Sequence, residues 1–211
     1  FRHTRTVEGC AAQTVKHGVN CLMGAIRMAK RDGYAVGDVQ APTIKLPNGR
    51  LRYLSLDEER RLLAELDPDR KTIGLSHSRD IDPDRQRFLQ DNYDLIIVLL
   101  DTGARYSEIA HMKWDQIDLP NKVINLWRPK VSNEGVIFMT ARVHATLVRR
   151  HQTRTGGYVF TNKAGSARGY AAVSIRKAFD RAGLNDCTIH TLRHTHATRL
   201  IQAGLSLYEV K

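Results

Sequence analysis

Apolar residues return at three- and four-residue intervals between residues 11 and 31, with Val15, Val19, Leu22, Met23 and Ile26 on one side. That is the period of an amphipathic helix, and Gly33 closes it. The stretch from Ala41 to Gly49, with Pro42, Pro47 and an Asn48-Gly49 turn, reads as an extended linker reaching to about residue 50. Ser55-Leu-Asp-Glu58 has the capping-box spacing and opens a helix through Leu66. Residues 67 to 85 are polar and read as an exposed loop. Phe88 to Asp101 predicts a helix that is apolar nearly all round in its C-terminal half. Thr102-Gly103 stops it, and Ala104 to Lys113 predicts a short second helix. Ile117 to Leu119 and Val123 to Trp127 predict strands joined by a Pro120-Asn121 turn. Val136 to Met139 predicts a third, after a turn centred on Ser132 to Gly135. Helical patterns follow at about 142–152, 171–182 and 190–203. The expected fold class is mainly α with a small antiparallel β-sheet (α+β), without internal repeats.

Composition narrows the class. Hydrophobic residues make up 42% of the 211, enough for a real core. Lys and Arg number 33 against 22 Asp and Glu, a formal charge of +11, which favours a polyanionic partner such as nucleic acid. Cys10, Cys21 and Cys187 have no paired spacing and read as reduced thiols of an intracellular protein. No apolar run approaches the roughly 20 residues that span a bilayer, so no membrane association is expected. Phe1 stands where an initiator Met would be, and Lys211 falls inside what reads as a new helix. The expectation is a piece of a longer chain.

Three clusters carry chemistry. In Thr102-Gly-Ala-Arg105-Tyr-Ser-Glu108, the glycine allows a tight break between two helices. Arg105 is expected in the first turn of the second helix, where free N–H groups favour an anion and the guanidinium adds a fork of donors. Glu108, three residues on, is placed to hold that fork. In His190-Thr-Leu-Arg193-His194, His190 and Arg193 share a helical face. Both can touch one phosphate, the histidine moving a proton and the arginine stabilising charge. The same stretch has a metal-ligand reading, since His190 and His194 are spaced i,i+4 with Cys187 nearby. Against it, Thr191 stands where a metalloprotease motif has Glu, and Arg193 would repel a cation. Lys130, in the turn after Trp127, can reach a phosphate or a leaving oxygen. Basic residues on the predicted helices, Lys16, Arg27, Lys30 and Arg31 near one end and Arg176 and Lys177 near the other, are the candidates for DNA contact.

Taken in order, T-G-x-R-x-S-E-I, a strand-borne lysine and H-x-L-R-H resemble the tyrosine recombinases of the phage-integrase superfamily. The likeness covers residues 51 to 211, an incomplete catalytic domain. Residues 1 to 45 resemble, less specifically, the C-terminal part of that family's helical core-binding domain. The resemblance implies a DNA strand transferase that works through a 3′-phosphotyrosyl intermediate, without metal or other cofactor. Arg105 and Arg193 would clamp the scissile phosphate, Lys130 would protonate the leaving 5′-hydroxyl, His190 would assist proton transfer, and Glu108 would support Arg105. It also implies a nucleophilic tyrosine beyond Lys211, which would leave this piece able to bind DNA but not to cleave it. Tyr208 comes too soon after Arg193. Double-stranded DNA, a homotetramer on synapsed sites and a cytoplasmic, bacterial or phage setting complete the expectation. A type IB topoisomerase and a DNA-binding protein without catalysis are the competing readings.

Overall fold

A computed structural model of the chain describes residues 1–46, 51–70, 83–128, 133–170 and 172–206. Contacts divide it into two compact units, Phe1–Arg50 and Leu51–Lys211.

The first unit is a pair of helices, α1 (Arg2–Val7) and α2 (Ala12–Arg31). The hydrophobic pattern announces α2 but not α1, whose six residues lack an apolar face. Gly33 ends α2 with φ near +86°, and the Tyr34 amide returns to the Ala29 carbonyl at 3.0 Å, a Schellman closure open to glycine without strain. Val15 and Val19 are buried, whereas Leu22 stays 49% exposed. A unit this small cannot cover the whole predicted stripe.

The second unit is built around α4 (Pro83–Thr102), whose segment Leu95 to Leu100 is buried on every side. Around it stand α3 (Leu56–Leu66), α5 (Tyr106–Ala110), α6 (Ala141–Gln152), α7 (Ala172–Arg181) and α8 (Ile189–Gln202). A three-stranded antiparallel sheet runs β1 (Ile117–Asp118), β2 (Val123–Arg128), β3 (Asn133–Phe138) in that order. On β2, Ile124 and Leu126 face the core while Asn125 faces water, the two-residue period of a half-buried sheet. The mainly helical fold with its small antiparallel sheet is as the pattern predicts.

Three local expectations need correction. The helix α4 begins at Pro83, so 83–85 belong to its first turn rather than to a loop; proline fits there because that turn's N–H groups have no intrahelical partner. The helix after Gly103 is only five residues long. Asn133, Glu134 and Gly135 lie within β3, paired with Arg128, Trp127 and Leu126. The cross-strand ladder recruits them in spite of the turn propensity of asparagine and glycine. The rest of the expected 67–85 loop, residues 71–82, and also Lys130 and Tyr208, lie outside the described residues.

Polar tethers fix how the helices meet. Arg142 of α6 donates to Glu59 of α3 (2.8 Å) and to Asp101 at the end of α4 (Nε, 3.1 Å), and Arg199 of α8 closes on the same Glu59. Glu59 is buried, so each of these guanidiniums compensates a desolvated carboxylate. In the middle of α4, Asp94 is fully buried and takes Arg149 and Arg150. The segment before α3 is sewn to α8, the Leu54 amide donating to the Thr195 hydroxyl at 2.9 Å.

The capping box of α3 doubles as an ion-pair site. Ser55 accepts from the Glu58 amide and Glu58 accepts from the Ser55 amide, while Arg52 grips both Glu58 oxygens at 2.6 and 3.0 Å. Hydrogen bonding from Arg52 holds the Glu58 carboxyl down at about 2, from an ordinary 4.5. A depressed folded-state value means stabilisation that is complete above the unfolded value and disappears as pH falls. Between pH 4.5 and about 2 the protein therefore loses this contribution. Thermal melts across that range should show a shallower acid decline for Glu58→Gln, which keeps the capping box but not the charge; an identical decline would exclude Glu58 as a source.

Candidate active site

The site grows from the way α4 stops. The Thr102 hydroxyl donates back to the Val98 carbonyl at 2.6 Å, and the Gly103 amide to the Leu99 carbonyl at 3.0 Å. Gly103 then turns the chain with φ near +60°. A side chain here would meet a second obstacle, because a Cβ on Gly103 would lie 2.5 Å from Cδ2 of His196 on α8. Glycine thus serves both the left-handed turn and the close approach of two helices.

On this turn the two arginine motifs meet. Nη1 of Arg193, from α8, donates to the carbonyl of Gly103, ninety residues away in the chain. Arg105 follows two residues after that carbonyl. It occupies the N-cap of α5, with extended backbone (φ −71°, ψ 149°), and not the first turn. The correction has a physical cause. Glu108 accepts the Arg105 amide at 2.8 Å and the Arg105 guanidinium at 2.9 Å, so its carboxylate already occupies the position at the head of this short helix that an anion would take. Glu108 is largely sheltered while Arg105 is 56% exposed at its side chain; the carboxylate anchors and the guanidinium faces solvent.

On α8, His190 is exposed one turn before Arg193, and its ring meets that of His194 edge to face, centroids 4.6 Å apart. Burial, with the nearby His190 and Arg193 charges, lowers the His194 pKa below the ordinary imidazole value. His196 is deeper. Burial again lowers its pKa, and Nδ1 lies 3.1 Å from the Leu100 carbonyl, so the neutral ring carries its proton on that nitrogen. His196 was missed in the sequence; its only signal is the three-residue spacing from Arg193, which puts both on neighbouring turns of α8. Lys130 lies outside the described residues.

Of the other basic candidates, Lys30 pairs with Asp38 (3.3 Å) and Arg31 with Asp32 (3.4 Å) in the first unit, where Arg27 is exposed and Lys16 half-buried. On α7, Arg176 pairs with Asp180 at 3.1 Å and Lys177 is exposed. Exposed pairs of this kind are worth at most about 1 kcal/mol and exchange readily for another anion. Among the described residues no three His, Cys, Asp or Glu side chains converge as metal ligands, and no helix is long and apolar enough to cross a membrane. A cavity of about 290 Å³ between α4 and α6, lined by Arg87, Asp91, Trp114, Arg150 and Tyr158, does not include Arg105, His190 or Arg193. Arg105 and His190 are exposed, and Arg193 is half-buried against the Gly103 turn.

The family model of the phage integrase family matches residues 55–211, which contain the whole Gly103 turn and α8. The chain belongs to the phage integrase family. Within it, the chain is similar to the integrase of Salmonella phage P22, 27% identical over 214 residues that cover 93% of this chain and 49% of that protein. Among solved structures, the Tn1549 transposon integrase in complex with transposon right-end DNA superposes with a TM-score of 0.74 at 19% identity, over 99% of this chain and 73% of that one. A lambda integrase dimer bound to a COC′ core site gives 0.69 at 17% identity, over 99% and 57%. The fold is shared with both. The chain spans about half the length of the curated relatives it matches.

Gly103→Ala should destabilise the protein by about 2–4 kcal/mol, the sum of a left-handed alanine and an overpacked helix contact. Urea unfolding would measure it, and a loss below about 1 kcal/mol would mean that α8 does not press on this turn as described.

Proposed function

We propose that this chain is the DNA-handling part of a site-specific recombinase, or integrase, of a mobile element, one that breaks and rejoins strands through a 3′-phosphotyrosyl intermediate. The observation that carries this is the bond from Arg193 to the carbonyl of the buried Gly103, two residues before the exposed Arg105, with the exposed His190 one turn before Arg193 on α8. Two guanidiniums directed at one phosphate suit the dispersed negative charge of a pentacoordinate phosphorus. Glu108 holds Arg105 in a fixed fork, so that less side-chain freedom is lost when phosphate binds. His190 is exposed and assists proton transfer. Lys130 protonates the departing 5′-hydroxyl. No step in this chemistry calls on a metal or other cofactor, since the phosphodiester energy stays in the tyrosyl ester.

In this reading, residues 1 to 45 are the end of a helical core-binding domain and 51 to 211 an incomplete catalytic domain. The nucleophile is a tyrosine beyond Lys211 in the full-length protein. Two of the tyrosines at hand are otherwise engaged: Tyr106 donates to the Gly169 carbonyl, and Tyr158 lies under Lys113. The partner is double-stranded DNA, with four protomers on two synapsed sites in the cytoplasm. Lys16, Arg27, Lys30 and Arg31 on α2, and Arg176 and Lys177 on α7, neutralise backbone phosphates, and affinity falls steeply with salt.

The test uses the full-length protein and a nicked suicide duplex carrying its attachment site, with the covalent protein–DNA adduct read on a denaturing gel. Wild type should form the adduct. Arg193→Ala should reduce it by at least about a hundredfold while equilibrium binding changes little. Normal adduct formation by Arg193→Ala, or no adduct from wild type on bound DNA, would reject the assignment.

A further inference from the structure

The segment Arg168-Gly169-Tyr170, which leads towards α7, is braced from two directions. One residue after Arg105, the Tyr106 hydroxyl donates to the Gly169 carbonyl at 2.8 Å, and the Tyr106 and Tyr170 rings meet edge to face at 5.0 Å. From α4, Asn92 accepts from Nη2 of Arg168 and donates to the Ser174 hydroxyl of α7 at 3.3 Å. One continuous path of contacts therefore runs from the residue beside Arg105, through the loop, to the first turn of α7.

Arg168 is the unusual part of this brace. It is only 4% exposed, lies over the ring of Phe88, and its Nε has no hydrogen-bond partner. No carboxylate pairs with it among the described residues. Elsewhere in the unit the sheltered guanidiniums of Arg142 and Arg150 each meet carboxylates. A buried guanidinium without a counter-charge is a burden on stability, so stability does not account for Arg168. Holding Gly169 and Tyr170 at one height above α4 does.

We propose that Tyr106 is a positioning residue, with Arg168 as its support. Together they keep the loop before α7 in register with Arg105, so that DNA engaged by α7 delivers its scissile phosphate to the Arg105 fork. This rests on the function proposed above, in which Arg105 clamps that phosphate and α7 contacts DNA. Tyr106 itself touches no reacting atom. Its hydroxyl acts through the backbone it ties down, and misplacement of a clamp by a fraction of an ångström is enough to slow a phosphoryl transfer.

The experiment compares full-length wild type, Tyr106→Phe, Arg168→Met and Arg105→Ala on two suicide duplexes. One carries the natural phosphodiester at the scissile position and the other a neutral methylphosphonate, which has no negative charge for Arg105 to hold. Tyr106→Phe keeps the ring and its contact with Tyr170. It should bind DNA as wild type does, cleave the phosphodiester about tenfold more slowly, and cleave the methylphosphonate within about twofold of wild type. Equal loss on both substrates, or no loss on either, would overturn the proposal. Arg168→Met should melt no lower than wild type and show the same substrate-dependent loss. A lower melting temperature with unchanged cleavage per folded molecule would make Arg168 a structural residue and also overturn it. Arg105→Ala separates the two levels. If it cleaves the phosphodiester normally, the function proposed above fails and this inference with it. If it does not cleave and Tyr106→Phe matches wild type, only the inference fails.

Discussion

Everything at the candidate site depends on how closely α8 can approach the C-terminal end of α4. That approach is possible because position 103 carries no side chain and the His196 ring fills the space. With the helices this near, the Arg193 guanidinium reaches the Gly103 carbonyl, and the backbone that leaves the turn presents Arg105 to solvent. Separate the helices by one methyl group, and Arg193 no longer reaches the Gly103 carbonyl. The neutral His196, bonded to the Leu100 carbonyl, belongs to this contact as packing rather than chemistry.

The formal charge of +11 says little about where an anion would sit, because much of the arginine is committed to the interior. Arg142, Arg150 and Arg199 compensate Glu59, Asp91, Asp94 and Asp101, carboxylates that are buried or nearly so. Breaking such a pair leaves an uncompensated charge in a low-dielectric setting, so these arginines are not available to exchange partners. Arg105, Arg176 and Lys177 stand on the surface, and among the described residues the first two pair with local carboxylates, at i+3 and i+4. A polyanion competes easily with pairs of that kind. The distinction is one of burial, not of residue type.

The fold is shared with the Tn1549 integrase although fewer than one residue in four is the same. The reason is visible in α4. Its buried run from Leu95 to Leu100 needs only apolar side chains of suitable volume, which many sequences supply. The turn at Gly103 and the tether of Arg193 are less forgiving, since each depends on one atom arrangement. Constraint in this unit is concentrated where helices end, and the candidate site lies there as well.

The helical and strand segments were largely legible in the sequence. Helical periodicity marked α2, a Pro-Asn turn between two strand-like segments marked β1 and β2, and the capping box at Ser55 set the start of α3 almost to the residue. The motif residues Arg105, Glu108, His190 and Arg193 could be picked out because their spacing and order are unusual, although position within a short helix was misjudged for Arg105. The roles of Tyr106, Arg168 and Asn92 had no signal, and that of His196 only its spacing from Arg193, since each is defined by a partner far away in the chain: Gly169, Asn92, Ser174 and Leu100 respectively. Local pattern determines which segments become helix or strand, because backbone hydrogen bonding and side-chain period act over a few residues. Only the tertiary structure could decide which helix ends meet, which arginines are spent on buried carboxylates and which face solvent, because burial and long-range pairing depend on residues that lie far apart in the chain, 41 positions for Arg142 and Asp101 and 90 for Arg193 and Gly103.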